Sequence, residues 1–213
     1  MQDVYKRQVR AQAFVWAAGR DDEAIIDELV ARLSDPERLC RFTVQDSLLR
    51  LGRRAGPALA RLLTDPHGPG LVDGLRVARG LAVPELLEPC LALVSHPDEE
   101  VRSRTATVLG ALGGEPAQDA LVQLLDDPAY VVRASAARAL GEQGAWTAST
   151  GLLHLLSDAN WPVRRESALA LRRMGSVGKL TLRKALSGEN AFAADMARQV
   201  LDLPETVYQQ VTA

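Results

Sequence analysis

The stretch from Asp127 to Gly141, DPAYVVRASAARALG, decides the fold of this chain. Its small and apolar residues Val132, Ala136, Ala137 and Leu140 recur at the spacing of one helix face. The aspartate can cap this helix, and the proline can occupy its first turn, where a missing N–H is not needed. The stretch therefore predicts an α-helix whose small side chains let a neighbouring helix approach closely.

The same pattern recurs every 30 or 31 residues along most of the chain. Each copy is marked by an anchor, which is Asp-Pro or a relic of it. The anchors stand at Asp35-Pro36, Asp65-Pro66, His96-Pro97, Asp127-Pro128 and Asp158-Ala159, with a weaker copy at Gly188-Glu189. An arginine follows the anchor by six positions in four of the five clear copies, and a glycine follows eleven positions later. These residues are Arg41, Arg102, Arg133 and Arg164, and Gly52, Gly113, Gly144 and Gly175.

Each repeat is predicted to be a hairpin of two helices. A leucine-rich first helix precedes the anchor, as at Leu121, Leu124 and Leu125, and a second helix follows it. The recurrent glycine is expected to end the second helix in a left-handed conformation. One hairpin cannot bury its apolar stripe alone, whereas stacked neighbours form a continuous core. The sequence therefore predicts an all-α solenoid of about six two-helix repeats.

These segments resemble the short bacterial HEAT repeats that also occur in phycobilisome-lyase-type proteins. The resemblance covers residues 9–203 and implies a right-handed, armadillo-like α-α superhelix whose second helices line the concave surface. It also implies that anchor aspartates and recurrent arginines form a structural ladder between adjacent repeats, although such a ladder could instead clamp an acidic partner. The predicted ladder consists of Asp35, Arg41, Arg102, Asp127, Arg133, Asp158 and Arg164.

The two ends depart from the repeat pattern. Residues 1–8 fit no helix stripe and are interpreted as a possible assembly scar or disordered start. The segment from Val9 to Gly19 is predicted to be a second helix without its first, which leaves open that the chain is a fragment of a larger protein. A short tail is expected over residues 204–213. The chain has no apolar run of transmembrane length, and a cytoplasmic location is expected.

The sequence offers no recognisable catalytic constellation. It has no phosphate-binding glycine loop, and His67, His96 and His154 fall in different repeats without a second metal ligand at helical spacing. It also lacks the His-Glu dipeptides that mark deoxyhypusine hydroxylase, a HEAT-type enzyme. Cys40 and Cys90 are interpreted as buried free thiols. We therefore predict a protein that is not an enzyme and has no metal or cofactor, although a lyase-like role in handling a bilin or another small ligand stays open.

Arginines that do not recur are the predicted binding residues, because a position that varies among repeats is free of the scaffold's demands. They give the second helices a basic excess, while the first helices are more acidic. The predicted partner-binding residues are Arg76, Arg79, Arg104, Arg138, Arg165 and Arg172. A mildly basic concave groove favours an acidic peptide or protein as partner.

Nucleic acid is the competing partner, and DNA-backbone binding remains an alternative function. It is less favoured because the net charge is −2, only three lysines occur and aromatic residues make up 4%. Trp16, Trp146 and Trp161 are predicted to pack at repeat ends and interfaces. The run His67-Gly68-Pro69-Gly70 stands where a helix should begin, and Leu71 and Ala82 replace the recurrent arginine and glycine of that copy. This degenerate repeat predicts a bend or a shortened helix, with a binding loop as the alternative. The expected function is that of a monomeric, non-catalytic scaffold for protein–protein interaction.

Overall fold

The computed structural model describes residues 23–212, which are almost entirely helical and contain no strand. The chain divides into two compact units. Unit 1 ends at Val108, and unit 2 runs from Leu109 to Ala213. Residues 1–8 and the predicted helix from Val9 to Gly19 lie outside the described range. Between residues 23 and 212, no helix is both long and apolar enough to cross a membrane.

Unit 1 is built from alternating first and second helices. Its first helices are α1 (Glu23–Ala31), α3 (Gly56–Leu63) and α5 (Leu87–Ala92), and its second helices are α2 (Arg38–Leu51), α4 (Leu71–Leu81) and α6 (Glu99–Leu112). The last four residues of α6 belong to unit 2. Within unit 1, α2 packs against α4, and α3 packs against α5. First helices therefore stack on first helices, and second helices stack on second helices.

Unit 2 continues the same alternation. Its helices are α7 (Glu115–Gln123), α8 (Tyr130–Glu142), α9 (Ser149–Leu155), α10 (Trp161–Arg173), α11 (Gly175–Leu186), α12 (Ala191–Asp202) and α13 (Glu205–Thr212). The second helices α8, α10 and α12 pack in succession, as do the first helices α9 and α11. This arrangement confirms the predicted all-α architecture of stacked two-helix repeats. The segment that was expected to be a tail forms α13.

The predicted helix stripe is the core of unit 2. Val132, Ala136, Ala137 and Leu140 on α8 are all fully buried. Burial of each leucine or valine side chain contributes about 1.5–3 kcal/mol of hydrophobic free energy. The core therefore consists of the apolar faces that stacked repeats hide from water.

Glycines on second helices allow very close helix packing in unit 2. A Cβ on Gly141 of α8 would lie 2.6 Å from the Cα of Ala170 on α10. One repeat earlier, a Cβ on Gly110 would lie 2.7 Å from the Cβ of Ala139. Real Cβ atoms do not approach other atoms this closely, so the helix spacing depends on the missing side chains.

The anchor side chains stabilise the turn before each second helix. Each accepts a hydrogen bond from the backbone N–H two residues later, over 2.8 Å at Asp35, 2.8 Å at Asp127 and 2.7 Å at Asp158. Asp65 makes the same bond over 3.1 Å, and the Nδ1 atom of His96 makes it over 3.0 Å. The acceptor can therefore be a carboxylate or an imidazole.

The predicted capping geometry is wrong in register. Helices α2 and α8 have Glu37 and Ala129 as N-cap residues, and neither makes a side-chain capping bond. Asp35 and Asp127 lie two residues earlier because the proline after each one favours an extended backbone, with ψ of 132° and 140°. Asp35 and Asp127 therefore form Asx turns ahead of the helix, and the proline lies outside the first helical turn.

The recurrent glycines all have positive φ, as predicted. The φ angles are 60° at Gly52, 71° at Gly113, 63° at Gly144 and 65° at Gly175. In the degenerate repeat Ala82 ends α4 with φ and ψ of 45°, so a residue with a Cβ adopts the left-handed conformation.

The degenerate repeat has a shortened second helix, as predicted. Helix α4 has 11 residues, whereas α2 and α6 each have 14. The other second helices of the clear copies begin three residues after their anchor, but α4 begins at Leu71, six residues after Asp65. The intervening Gly70 has φ of 87°, which delays the helix because a left-handed residue cannot continue it.

Candidate functional site

The predicted binding arginines of unit 1 lie together on the second helices. Arg76 and Arg79 of α4 and Arg104 of α6 line one cavity of about 450 Å³, together with Glu100. An adjoining cavity of about 370 Å³ shares Arg76 and is lined by Arg38 and Arg41 of α2 and by Asp73. We call Arg38, Arg76, Arg79 and Arg104 the unit-1 arginine surface. Arg38 is the member that the sequence interpretation missed.

Carboxylates neutralise only part of this surface. Arg76 forms an ion pair with Asp73 over 2.9 Å, and Arg104 forms one with Glu100 over 2.7 Å. Arg38 and Arg79 are exposed, and neither forms an ion pair within the described part of the chain. Exposed pairs such as Arg76–Asp73 contribute at most about 1 kcal/mol, so a carboxylate from a partner could compete for them.

The predicted arginines of unit 2 share one carboxylate. The Arg138 Nε atom lies 3.0 Å from one oxygen of Glu166, and an Arg165 nitrogen lies 2.6 Å from the other oxygen. Glu166 itself is buried. Its hydrogen bond raises the pKa of Arg138 above the usual value, and the smaller, opposite effect of burial does not cancel this rise. The pair of arginines therefore retains one positive charge in excess of Glu166.

The assignment of Arg172 to the partner-binding set is corrected by the structure. Arg172 is only 7% exposed, and its guanidinium donates to the backbone oxygens of Val200 and Leu203 at the end of α12. It also bonds Glu205 over 3.1 Å and lies 4.1 Å from the ring centre of Tyr208. These contacts hold α13 in place and leave Arg172 no free surface for a partner.

The ladder arginines brace the anchor turns of their own repeats. The backbone oxygen of the anchor residue accepts a hydrogen bond from the arginine six positions later, over 2.7 Å from Arg41, 2.8 Å from Arg102, 2.7 Å from Arg133 and 2.7 Å from Arg164. A second, longer bond joins each arginine to the next backbone oxygen. Strict recurrence of arginine follows because only a long, multidentate donor can span this turn.

Two ladder arginines also join neighbouring repeats. Arg133 binds both carboxylate oxygens of Asp158, over 2.8 and 3.1 Å. Arg41 lies 3.3 Å from a carboxylate oxygen of Asp73, which is on α4 and is not an anchor. The acid that meets Arg41 therefore comes from the shortened helix of the degenerate repeat.

The Arg133–Asp158 bridge is largely buried, and it changes the acidity of Asp158. Burial alone would raise the pKa of Asp158, but the hydrogen bonds from Arg133 and Asn160 outweigh it and hold the pKa below its usual value. The carboxylate stays ionised in the folded protein and can serve both the bridge and its Asx turn.

Arg164 occupies the last ladder position and meets an aromatic ring. Its guanidinium carbon lies 5.0 Å from the ring centre of Phe192 on α12. Within residues 23–212 it has no carboxylate partner, and the next anchor position is held by Gly188. A cation–π contact thus stands where Arg133 has an ion pair.

The degenerate repeat lines a cavity of about 420 Å³, which includes His67, Gly68, Gly70 and His96. The Nδ1 atom of His96 accepts from Asp98, so its Nε2 atom is the donor to the Pro66 oxygen at 2.8 Å. Both ring nitrogens are thereby used. The described residues contain no group of three or more candidate metal ligands.

Both cysteines are structural. Cys40 and Cys90 are fully buried and unpaired by disulfides. Burial raises the pKa of Cys90 to about 12, so its thiol is protonated at neutral pH. Neither sulfur reaches the surface, where attack on a ligand would have to occur.

Comparison with known proteins identifies the family. The model of HEAT repeats matches residues 70–141 and 118–201, which together span more than half of the chain. The chain belongs to the HEAT-repeat family. No curated protein matches this HEAT-repeat chain.

Solved structures agree with the fold of this HEAT-repeat protein. It is similar to an engineered protein with a TM-score of 0.53 and 18% identity, covering 95% of this chain and 97% of that one. It is similar to an archaeal HEAT-like repeats protein from Thermococcus onnurineus NA1, with a TM-score of 0.52, 13% identity and coverages of 97% and 98%. A designed armadillo repeat protein in complex with the peptide (KR)4 matches with a TM-score of 0.50, 19% identity and coverages of 83% and 98%. At these identities the similarity concerns the fold alone, and it confirms the predicted HEAT-type, armadillo-like solenoid.

Proposed function

We propose that this HEAT-repeat protein is a non-catalytic scaffold that binds an acidic peptide or protein surface through the unit-1 arginine surface. The observation that carries the proposal is the exposure of Arg38 and Arg79 without ion-pair partners in the described chain. A guanidinium offers a planar fork of donors that matches a carboxylate. A partner carboxylate can therefore bind these two arginines without first displacing a carboxylate of the protein.

The cavities beside these arginines suit an extended acidic chain. The cavities of about 450 and 370 Å³ meet at Arg76, so one segment could contact both. Five arginines and two carboxylates line the two cavities, which gives an excess of positive charge. This complementarity is expected to govern association rate and partner choice.

Arg138 and Arg165 are secondary contributors in this proposal, because Glu166 already neutralises part of their charge. The similar designed armadillo protein is in complex with a peptide, which supports peptide binding by this architecture. That peptide is basic, whereas the exposed arginines here favour the opposite charge.

The test uses two labelled octapeptides, one of alternating Asp and Glu and the other (KR)4, in fluorescence anisotropy titrations with the full chain. The acidic peptide should bind and the basic one should not. Arg79→Glu should weaken the acidic complex about tenfold or more, since a hydrogen bond between charged groups contributes roughly 1.5–3 kcal/mol. Binding should also weaken as salt is added, because the contacts are solvent-exposed.

The matched control is Arg53→Glu, which changes the net charge equally. Arg53 is exposed in unit 1 but lines neither cavity of the unit-1 arginine surface. It should leave the affinity for the acidic peptide within about twofold, a change well below the 1.4 kcal/mol that corresponds to a factor of ten. Equal losses in Arg79→Glu and Arg53→Glu would mean that only net charge matters, and the proposed surface would have to be abandoned.

A further inference from the structure

Three aromatic residues of unit 2 are separated by one repeat each. Tyr130 and Trp161 are the first residues of α8 and α10, and Phe192 is the second residue of α12. Both intervals are 31 residues, which is the repeat length. The side chains are 45%, 53% and 65% exposed, so none of the three rings is used to fill the core. We call these three residues the aromatic row.

The aromatic row is a local feature of unit 2. The corresponding positions of the earlier repeats hold Arg38, Gly68 and Glu99. The whole chain has three residues each of Phe, Trp and Tyr, so a third of its aromatic residues stand at this one exposed position. Trp161 was predicted to pack at an interface, and its exposure therefore contradicts a purely structural role for this ring.

The spacing of the aromatic row selects one kind of extended ligand. Helices α8, α10 and α12 pack in succession, and packed helices have axes about 8–10 Å apart. A polyproline II chain advances about 3.1 Å per residue with three residues per turn, or about 9 Å per turn. Every third residue of such a chain would meet the next ring. Prolines stack well on aromatic side chains in this conformation.

Guanidinium groups stand beside two of the rings. Arg164 lies over Phe192 at 5.0 Å, and Arg165 lies over Trp161 at 5.9 Å. Arg164 has no carboxylate partner in the described chain, and Arg165 shares Glu166 with a second arginine. The surface around the rings therefore carries excess positive charge and favours a ligand with carboxylates.

An apolar cleft lies beside Trp161. Its volume is about 160 Å³, and its walls include Leu169 of α10 and Met196 and Val200 of α12, with Arg165 also among the lining residues. A cavity of roughly 150 Å³ can hold a benzene molecule, so this cleft has room for one small apolar ring. A proline ring fits both the volume and the apolar lining.

We propose that the aromatic row binds a proline-rich segment in the polyproline II conformation that carries acidic residues between its prolines. The proline rings lie on Tyr130, Trp161 and Phe192, and the carboxylates meet Arg164 and Arg165. This site lies in unit 2 and is independent of the unit-1 arginine surface. Single-stranded nucleic acid could also stack on aromatic rings, but the net charge of −2 and the scarcity of lysine disfavour it.

The test measures binding of labelled peptides to the full chain by fluorescence anisotropy. The probe contains four Pro-Pro-Glu triplets, and the control contains four Gly-Ser-Glu triplets with the same charge. Measurements are repeated in the Arg79→Glu background, so that acidic peptides binding at the unit-1 surface do not contribute. We expect the proline probe to bind at least about tenfold more tightly than the control, because the polyproline conformation is already formed in the free peptide.

The decisive variant is Trp161→Ala, and its matched control is Trp146→Ala. Trp146 is 65% exposed in the same unit but begins a short 3-10 helix outside the aromatic row. Trp161→Ala should weaken the proline probe about tenfold or more, and Trp146→Ala should change it less than about twofold. Phe192→Ala gives a second reading should Trp161→Ala lose helical circular dichroism.

Several results would overturn the proposal. Equal affinity for the two peptides would show that the surface recognises charge alone. Tighter binding of a twelve-nucleotide oligothymidylate would favour nucleic acid. Complete loss of the proline probe in Arg79→Glu would place its site in unit 1. Failure of the acidic octapeptide to bind, with the proline probe still bound through Trp161, would instead remove only the proposed function of unit 1.

Discussion

Replacing Ala82 by glycine should stabilise the protein, although most substitutions destabilise. Ala82 ends α4 with φ and ψ of 45°, where a residue with a Cβ is disfavoured by about 1–2 kcal/mol. Glycine removes this strain but gives the unfolded chain more freedom, which offsets about 0.4–1 kcal/mol. The Ala82 side chain is exposed, so loss of its methyl group costs little burial. The net expected gain in the free energy of unfolding is about 0.5–1 kcal/mol.

The assay is urea denaturation followed by circular dichroism at the helical minimum, with thermal melting as a second measurement. A gain of this size corresponds to a rise in the melting temperature of roughly 1–4 °C for a chain of this length. The matched control is Gly144→Ala, which makes the reverse change at the corresponding position of unit 2. Gly144 has φ of 63°, and a Cβ there would meet no atom within 4 Å, so only backbone strain should act.

The reasoning requires opposite signs from the two substitutions. Gly144→Ala should lower the free energy of unfolding by an amount similar to the gain from Ala82→Gly. If Ala82→Gly were neutral or destabilising while Gly144→Ala cost the expected amount, backbone strain at Ala82 would not be a source of instability. If both were neutral, the left-handed helix ends would carry no energetic meaning in this fold.

Three further predictions concern the bridge, the helix contact and the last helix. Asp158→Asn should destabilise the protein by about 3–5 kcal/mol near neutral pH, because it leaves Arg133 without its buried partner. The folded pKa of Asp158 is lowered, so the bridge stabilises fully above the usual aspartate pKa of about 3.9 and loses this effect as pH falls through the lowered value; the deficit of the variant in urea midpoints should therefore shrink in acid. Gly141→Val should lower the melting temperature, with a cost of about 1–3 kcal/mol from forced separation of α8 and α10, whereas Gly144→Val would meet no neighbour and show backbone strain alone. Arg172→Met should release α13, which hydrogen exchange would detect as faster exchange confined to the segment after Leu203, and unchanged exchange there would contradict the locking role of Arg172.

The repeat architecture could be predicted from the sequence because its signals are local. The anchors, the helix stripe and the glycines at positive φ each depend on a few neighbouring residues. The correct glycine positions and the shortened α4 followed from this local chemistry. The capping register was missed because a pattern of Asp and Pro fixes the order of the turn but not where the first helical residue falls.

The candidate site was harder to predict because ion pairing depends on contacts between repeats. Glu166 meets both Arg138 and Arg165, although it stands 28 residues from Arg138. Arg172 was assigned to a partner because residues 204–213 were interpreted as a tail, whereas α13 supplies Glu205 and Tyr208 to cover it. The aromatic row has a signal that could have been found, since a spacing of 31 residues between three aromatic residues is visible in the sequence alone.

The glycine–alanine contacts of unit 2 bear on how this chain could be lengthened. Gly110 and Gly141 occupy the same position of successive repeats, and each meets an alanine at one shared position of the next repeat. A duplicated copy of residues 111–141 would carry both halves of this contact, so an added repeat could join its neighbours without redesign. The corresponding position of the degenerate repeat is Arg79, whose long side chain could not enter such a contact. Extension by gene duplication is therefore expected to succeed in unit 2 and to fail across α4.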